Sequence, residues 1–343
     1  YKIANHKPVL DKEREAQKIA ALTCDCKDSF TRQGVEELFQ QIMSTSRKKQ
    51  YQMMAQKGVL HDFGFEAVPQ YSYLGKRVVF QGVAGAYSHA AMEKFFGPIE
   101  NYDHVDTWRD AMEYLKRGDA DYAVLPIENS TAGAVTENYD LLLEYDVAII
   151  GEQILPIHHA LLGLPGATMD DITTVYSHPQ ALMQCDEYLR TKHPDFKKVA
   201  LSNTAMSAMK IKQDGDIHQA AIAGELNAKL YDLQVLEPQI QDVKGNETRF
   251  IIVSCHKEFL HDAKCVSLCF ELPHETGSLY RILSHFIFNG LNMTRIESRP
   301  IREKQWEYRF FLDFEGNLEE DGTQNALVGL SEETNFLRIL GNY

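Results

Sequence analysis

The chain has 343 residues, 44% hydrophobic and 24% charged, with a formal net charge of -14 at pH 7. That is the profile of a globular protein long enough for two or three cores, and its acidic balance excludes nucleic acid and anionic membrane surfaces as main partners, since either calls for a basic face. Six cysteines, with Cys24 and Cys26 one residue apart and the others scattered, fit neither a disulfide framework nor a zinc spacing and read as reduced thiols of a cytoplasmic protein.

Residues 9–57 read as helices, with Asp11 as the N-cap of DKEREAQKIAAL and Val35, Leu38, Phe39, Ile42 and Met43 on one face of the second helix. The chain opens without methionine in what reads as mid-helix, so the natural protein is expected to extend upstream. Residues 58–76 carry Gly and Pro punctuation without a sustained period and read as a linker. From Arg77 onward β-rich runs alternate with helical ones, with strands expected at 78–81, 122–125, 147–154, 160–164, 173–176, 220–223 and 250–254. This alternation predicts βαβ units and a parallel sheet. The long runs at 154–159 and 239–248 are suited to carry the chain across a cleft, so two lobes are preferred to one doubly wound sheet. After Cys255 the expected order is strand 265–272, helix 277–289, strand 291–301, strand 306–315, helix 323–333 and strand 335–340. That βαββαβ order is the split unit of ferredoxin-like domains.

Four blocks rich in small polar residues stand at expected strand ends: GVAGAYS at 82–88, PIENSTAG at 126–133, SHPQ at 177–180 and NETRF at 246–250. Such positions are where parallel-sheet proteins place ligand-facing groups. None supplies a Cys/His metal cluster, and Ser88 stands where a dinucleotide fingerprint needs its third glycine. In the first block Gly82 and Gly85 allow close backbone approach to a ligand, and the helix start attracts an anion. In the second, Ser130 and Thr131 either cap a helix or bind a carboxylate, while Glu128 and Asn129 face the ligand. In the third, Pro179 sets the first helical turn with Ser177 as its cap, and His178 reads as structural before it reads as a base. In NETRF, alternation places Thr248 and Phe250 on one face and Arg249 on the other unless a bulge intervenes. Arg249 then reads as an ion-pair partner, and Phe250 as core before it reads as a substrate contact.

In this order and spacing the four blocks resemble prephenate dehydratase over residues 77–255. GSL at 277–279 and ESRP at 297–300 resemble an ACT regulatory domain over 264–343, and residues 1–57 resemble part of an all-helical chorismate mutase. The resemblance implies a multidomain α/β protein: partial mutase helices, a two-lobed α/β dehydratase domain similar to periplasmic binding proteins, and a ferredoxin-like ACT domain. It implies loss of water and carbon dioxide from prephenate to give phenylpyruvate, driven by aromatisation, with no metal or cofactor. Thr248 is the expected catalytic residue, hydrogen-bonding the departing hydroxyl, with Glu128 as the alternative proton source should burial keep it protonated. Ser88, Asn129, Ser130, Thr131, Ser177, Gln180 and Phe250 are expected to position the substrate.

By the same resemblance Gly277, Ser278 and Leu279, with Glu297, Ser298, Arg299 and Pro300, bind L-phenylalanine as a feedback inhibitor at a subunit edge of a homodimer or homotetramer. Lys2, Asp11, Arg14, Glu15, Ser46 and Gln50 match the mutase pattern, with Lys2 and Gln50 placed near the breaking ether oxygen of chorismate. The family's arginines upstream of the Lys2 position are missing here, so the chain as given is not expected to be a competent mutase. Competing readings are a non-catalytic two-lobed sensor, an arogenate dehydratase and a nicotinamide-dependent dehydrogenase.

Overall fold

The computed structural model describes residues 9–55, 61–301, 304 and 307–343, and the chain divides into two units, one of residues 70–257 and one joining 1–69 to 258–343. No helix among the described residues is long and apolar enough to cross a membrane.

The unit of residues 70–257 has two lobes, each built on a sheet. In the first lobe the strands run in the order Ala148–Pro156, Glu247–Ser254, Tyr122–Asn129, Val78–Gln81 and Tyr102–Val105. Val78, Val79 and Phe80 are fully buried, as expected of an apolar strand covered on both faces. Val78 and Phe80 join Met92, Tyr122, Ile150, Phe250 and Ile252 in one core cluster of this lobe. The helix Trp108–Arg117 begins with a reciprocal capping box between Thr107 and Asp110 and ends at Gly118 in the left-handed region.

The second lobe orders its strands as Gln234–Glu237, Ala160–Gly163, Gln219–Ala223, Thr174–Ser177 and Lys197–Ala200, with apolar clusters around Val175 and Leu189 and around Leu162 and Ile211. The chain crosses between lobes at 157–159 and returns at 238–246, as the two long runs suggested. The expected parallel pairing holds for Val78–Gln81 with both its neighbours and for Thr174–Ser177 with both of its own, and is corrected at one strand of each lobe. Glu247–Ser254 runs antiparallel to both its neighbours, and Ala160–Gly163 is antiparallel to both of its own. A strand that re-enters a sheet after each crossing has no helical crossover to force a parallel pairing.

In the other unit, Cys265–Glu271, Ser278–Phe288, Met293–Pro300, Tyr308–Glu315, Asp321–Glu333 and Phe336–Asn342 give the expected βαββαβ order. Its antiparallel strands bury Val266, Leu268, Phe270, Leu312 and Phe314 against Ile282, Phe286, Leu327 and Leu330 of the two helices. Part of the expected linker is structured here: Glu66–Val68 pairs in parallel with Glu258–Leu260, and Phe63, Phe65 and Ala67 pack on the core.

The N-terminal helices Lys12–Thr23 and Ser29–Ala55 belong to this same unit. The expected apolar stripe of the second helix is only partly covered: Val35, Phe39 and Met43 are half-buried, while Leu38 is 65% and Ile42 58% exposed. The inward face of this helix is also polar. Arg47 bridges Glu15 of the first helix, at 2.5 Å, and Glu333 of the last helix, at 2.8 Å. Lys48 is enclosed and donates from Nζ to the Ser284 carbonyl at 3.1 Å and to Ser284 Oγ at 2.7 Å. Tyr51 donates to Glu332 Oε2. Buried charges of this kind persist only when fully partnered.

Candidate active site

The site grows from the meeting of PIENSTAG and NETRF. Thr248 stands opposite Asn129 and Arg249 opposite Glu128 in the antiparallel pair, and an irregularity follows between Arg249 and Phe250 where Ile127 is left over. Asn129 Oδ1 accepts from the backbone N–H of Thr131 at 3.1 Å and of Ala132 at 2.9 Å. Those donors have only one polarity, so they fix the amide with its nitrogen turned toward NETRF. Asn129 Nδ2 then donates to Asn246 Oδ1 at 2.7 Å and to Thr248 Oγ1 at 2.9 Å. Thr248 is 8% exposed, and its oxygen accepts a hydrogen bond from Asn129 Nδ2, which also lies 3.2 Å from the Glu247 carbonyl, so the Thr248 hydroxyl keeps its own proton for another acceptor.

The hydroxyl of Thr131 donates to Asn129 Oδ1 at 2.7 Å. Ser130 Oγ accepts from the Glu247 N–H at 2.9 Å and donates to the Gly245 carbonyl at 3.3 Å. From the second lobe Gln184 reaches across and donates from Nε2 to Thr131 Oγ1 at 3.3 Å. Asn246 is 4% exposed, and its Nδ2 is a buried donor with no hydrogen-bond partner among the described residues.

Several expected site residues lie elsewhere. Ser177 is fully buried and gives its hydroxyl to the Ile222 carbonyl at 2.7 Å, and the helix cap is His178, whose Nδ1 accepts from the Gln180 N–H at 3.2 Å. Burial lowers the His178 pKa, in keeping with a neutral structural imidazole. Gln180 opens that helix, Pro179–Gln184, but the side chain that joins the Thr248 cluster is Gln184, one turn later on the same helix. Phe250 is 2% exposed in the core of the first lobe, in keeping with the packing role read before a substrate contact. Arg249 pairs with Glu152 at 2.6 Å, the structural role expected of it.

GVAGAYS is also explained by packing. A side chain on Gly85 would meet Asn227 Oδ1 at 2.1 Å, and Gly85 has φ +88°. Its carbonyl accepts from Asn227 Nδ2 at 2.9 Å and its N–H donates to His89 Nδ1 at 3.1 Å. The close approach expected for a ligand is therefore made by the second lobe. Ser88 is buried in the first turn of Tyr87–Phe96.

A model of prephenate dehydratase matches residues 78–258 and one of chorismate mutase type II matches residues 1–51. The chain belongs to the prephenate dehydratase family. Among its relatives are arogenate dehydratase 1 of Petunia hybrida, 38% identical over 78% of this chain and 66% of that protein, and the bifunctional chorismate mutase/prephenate dehydratase of Aquifex aeolicus, 34% identical over 90% of this chain and 84% of that one. The chain thus spans about two thirds of the length of the first plant dehydratases it matches. Among solved structures, the prephenate dehydratase of Arthrobacter aurescens in complex with L-Phe superposes with a TM-score of 0.71 at 32% identity, covering 78% of this chain and 89% of that one. The two-lobed dehydratase fold and the mutase-type helices are family features.

Outside the two lobes, Gly277 has φ +76° and opens the helix Ser278–Phe288. Ser278 and Leu279 line a cavity of about 410 Å³ with Pro273, Glu275, Tyr308 and Phe310. Glu297, Ser298, Arg299 and Pro300 lie one strand over, with Ser298 opposite Phe310 and Pro300 opposite Tyr308. Of the mutase-pattern residues, Lys2 lies outside the described residues. Asp11 caps its helix by accepting from the Arg14 N–H at 3.1 Å, and Arg14 is exposed. Glu15 is held by Arg47, and Gln50 donates to the Ser46 carbonyl at 3.1 Å on the outward face.

Proposed function

We propose that the chain is a dehydratase acting on prephenate, releasing water and carbon dioxide to form phenylpyruvate. The observation that carries this reading is the polarity of the Asn129–Thr248 hydrogen bond, which leaves the Thr248 proton available. As the bond from the ring to its carboxylate breaks, that electron pair enters the ring and expels the C4 hydroxyl, which leaves as water on gaining one proton. Thr248 donates toward that oxygen, and the Asn129 N–H stabilises the negative charge building on Oγ1. Glu128 remains the alternative proton source, but it stands opposite Arg249, on the other face of the strand pair from Asn129 and Thr248.

Phenylpyruvate formation from prephenate by the parent, by Thr248→Ala and by Glu128→Gln tests the site. Loss of turnover in Thr248→Ala and retention in Thr248→Ser support it, and parent-like turnover in both Thr248→Ala and Glu128→Gln removes it. The plant relatives' names make arogenate the second substrate to assay beside prephenate. We also assign L-phenylalanine to the βαββαβ region as an effector, a homodimeric or homotetrameric assembly, and a cytosolic setting. The Arthrobacter complex with L-Phe supports the effector.

A further inference from the structure

The network around Thr248 continues to a buried histidine. His159 is 2% exposed and sits where the two crossings run side by side: its backbone N–H donates to Gln241 Oε1 at 3.0 Å and its carbonyl accepts from the Ile240 N–H at 2.8 Å. Its ring has a partner on each nitrogen, Tyr87 Oη at 2.9 Å from Nδ1 and Gln184 Oε1 at 2.8 Å from Nε2.

The proton positions follow from the fixed end of the chain. Because Asn129 Oδ1 is held as an acceptor by two backbone N–H groups, the Thr131 proton is committed to it. The Gln184 atom facing Thr131 Oγ1 must therefore donate, so the Gln184 oxygen faces His159 and needs a donor in turn. His159 supplies it only from Nε2–H, so in the neutral ring Nδ1 is an acceptor, and the single Tyr87 proton is shared between Nδ1, at 2.9 Å, and the His158 carbonyl, at 2.8 Å. Burial lowers the His159 pKa, which favours the neutral ring with a single proton.

We propose that His159 is a positioning residue whose Nε2–H locks the Gln184 amide so that it latches the second lobe onto Thr131 and holds the substrate cleft closed. The latch rests on the dehydratase reading of the Thr248 cluster. His159 acts at one remove, through Gln184 and Thr131, and the closed arrangement it favours is the one in which both lobes meet the substrate. Loss of the latch weakens substrate binding more than it slows chemistry.

The test uses the full chain. In His159→Phe, which keeps a planar ring and removes both nitrogens, KM for prephenate rises about tenfold, the equivalent of one hydrogen bond, with a smaller change in kcat. His159→Gln, whose amide again offers a donor to Gln184, restores most of the loss. Gln184→Glu accepts from His159 but has no proton for Thr131, and it matches His159→Phe. Should His159→Phe fail to fold, the other two variants carry the comparison.

A parent-like KM in Gln184→Glu, or a His159→Gln that folds with the parent's melting temperature yet shows no rescue, overturns the latch. The ¹⁵N spectrum of the parent provides an arm independent of turnover: a protonated Nε2 and bare Nδ1 at His159 support it, and the opposite tautomer overturns it. A parent inactive on both prephenate and arogenate refutes the dehydratase reading alone, and the tautomer then still decides the latch.

Discussion

Asn129 and Thr248, 119 positions apart in the chain, face each other across an antiparallel strand pair with the amide nitrogen 2.9 Å from the threonine oxygen. The direction of that bond, set by the backbone of Thr131 and Ala132, makes Asn129 the donor and leaves Thr248 its own proton to give.

Replacing Asn129 with Asp reverses the bond, since a carboxylate accepts and takes up the Thr248 proton. Asn129→Asp is expected to lower kcat for prephenate by about a hundredfold, the scale of a lost general acid. Its circular dichroism should stay that of the parent, which separates the chemical effect from a folding one.

Gly85→Ala is expected to destabilise the two-lobed unit. The new methyl meets Asn227 Oδ1 at 2.1 Å in a backbone conformation of φ +88°, and strain with a steric clash together costs about 3 kcal/mol. A denaturant midpoint equal to the parent's would show that the Asn227 side chain moves aside freely.

The carboxyl of Glu333 gives a pH signature. Burial pushes its pKa up, but His285 and Arg47 outweigh that and hold it near about 2 against an ordinary 4.5. A depressed carboxylate contributes stability that is present above its unfolded pKa and lost as pH falls through the folded value. Glu333→Gln should therefore be less stable than the parent by about 3 kcal/mol at pH 7, and the gap should close between pH 4.5 and about 2. A gap constant across that window would show that the ion pairs contribute little.

L-Phenylalanine should bind the unit that carries the cavity lined by Ser278 and Leu279. At about 100 times its Kd a ligand stabilises its host by about 2.7 kcal/mol, several degrees in Tm. Gly277→Val should remove both that shift and the inhibition. A side chain there meets nothing nearer than Arg281 Nη1 at 3.9 Å, so the damage would come from the backbone conformation and the loss of close approach. An unchanged response to phenylalanine in the variant would place the effector elsewhere.

Local order was readable where hydrophobic pattern and punctuation agree. The elements of 265–342 fall within a few residues of their expected places, because the strands Cys265–Glu271 and Tyr308–Glu315 carry long apolar runs and the two helices are set off by polar and glycine-bearing turns. What went unseen depends on distant partners. Glu66–Val68 is three residues long, and only its pairing with Glu258–Leu260 makes it a strand. Tyr102–Val105 and Lys197–Ala200 are sheet-edge strands with charged, half-exposed side chains and a weak pattern. Gln184 and Asn246 were within reach, one four residues beyond Gln180 and the other at the head of NETRF. His159 was not, since nothing local marks a histidine whose two ring partners come from residues 87 and 184.

The enclosed ammonium of Lys48 also sets a timetable. Its acceptors at Ser284, the second carboxylate partner of Arg47 and that of Tyr51 lie more than 200 positions downstream, beyond the whole of residues 70–257. During synthesis the leading helices emerge from the ribosome long before the groups that neutralise them, while the central lobes already have everything they need to assemble. Contacts so distant in sequence form late in folding, so removing the segment from Ser284 onward would leave the Lys48 ammonium without the acceptors that enclose it.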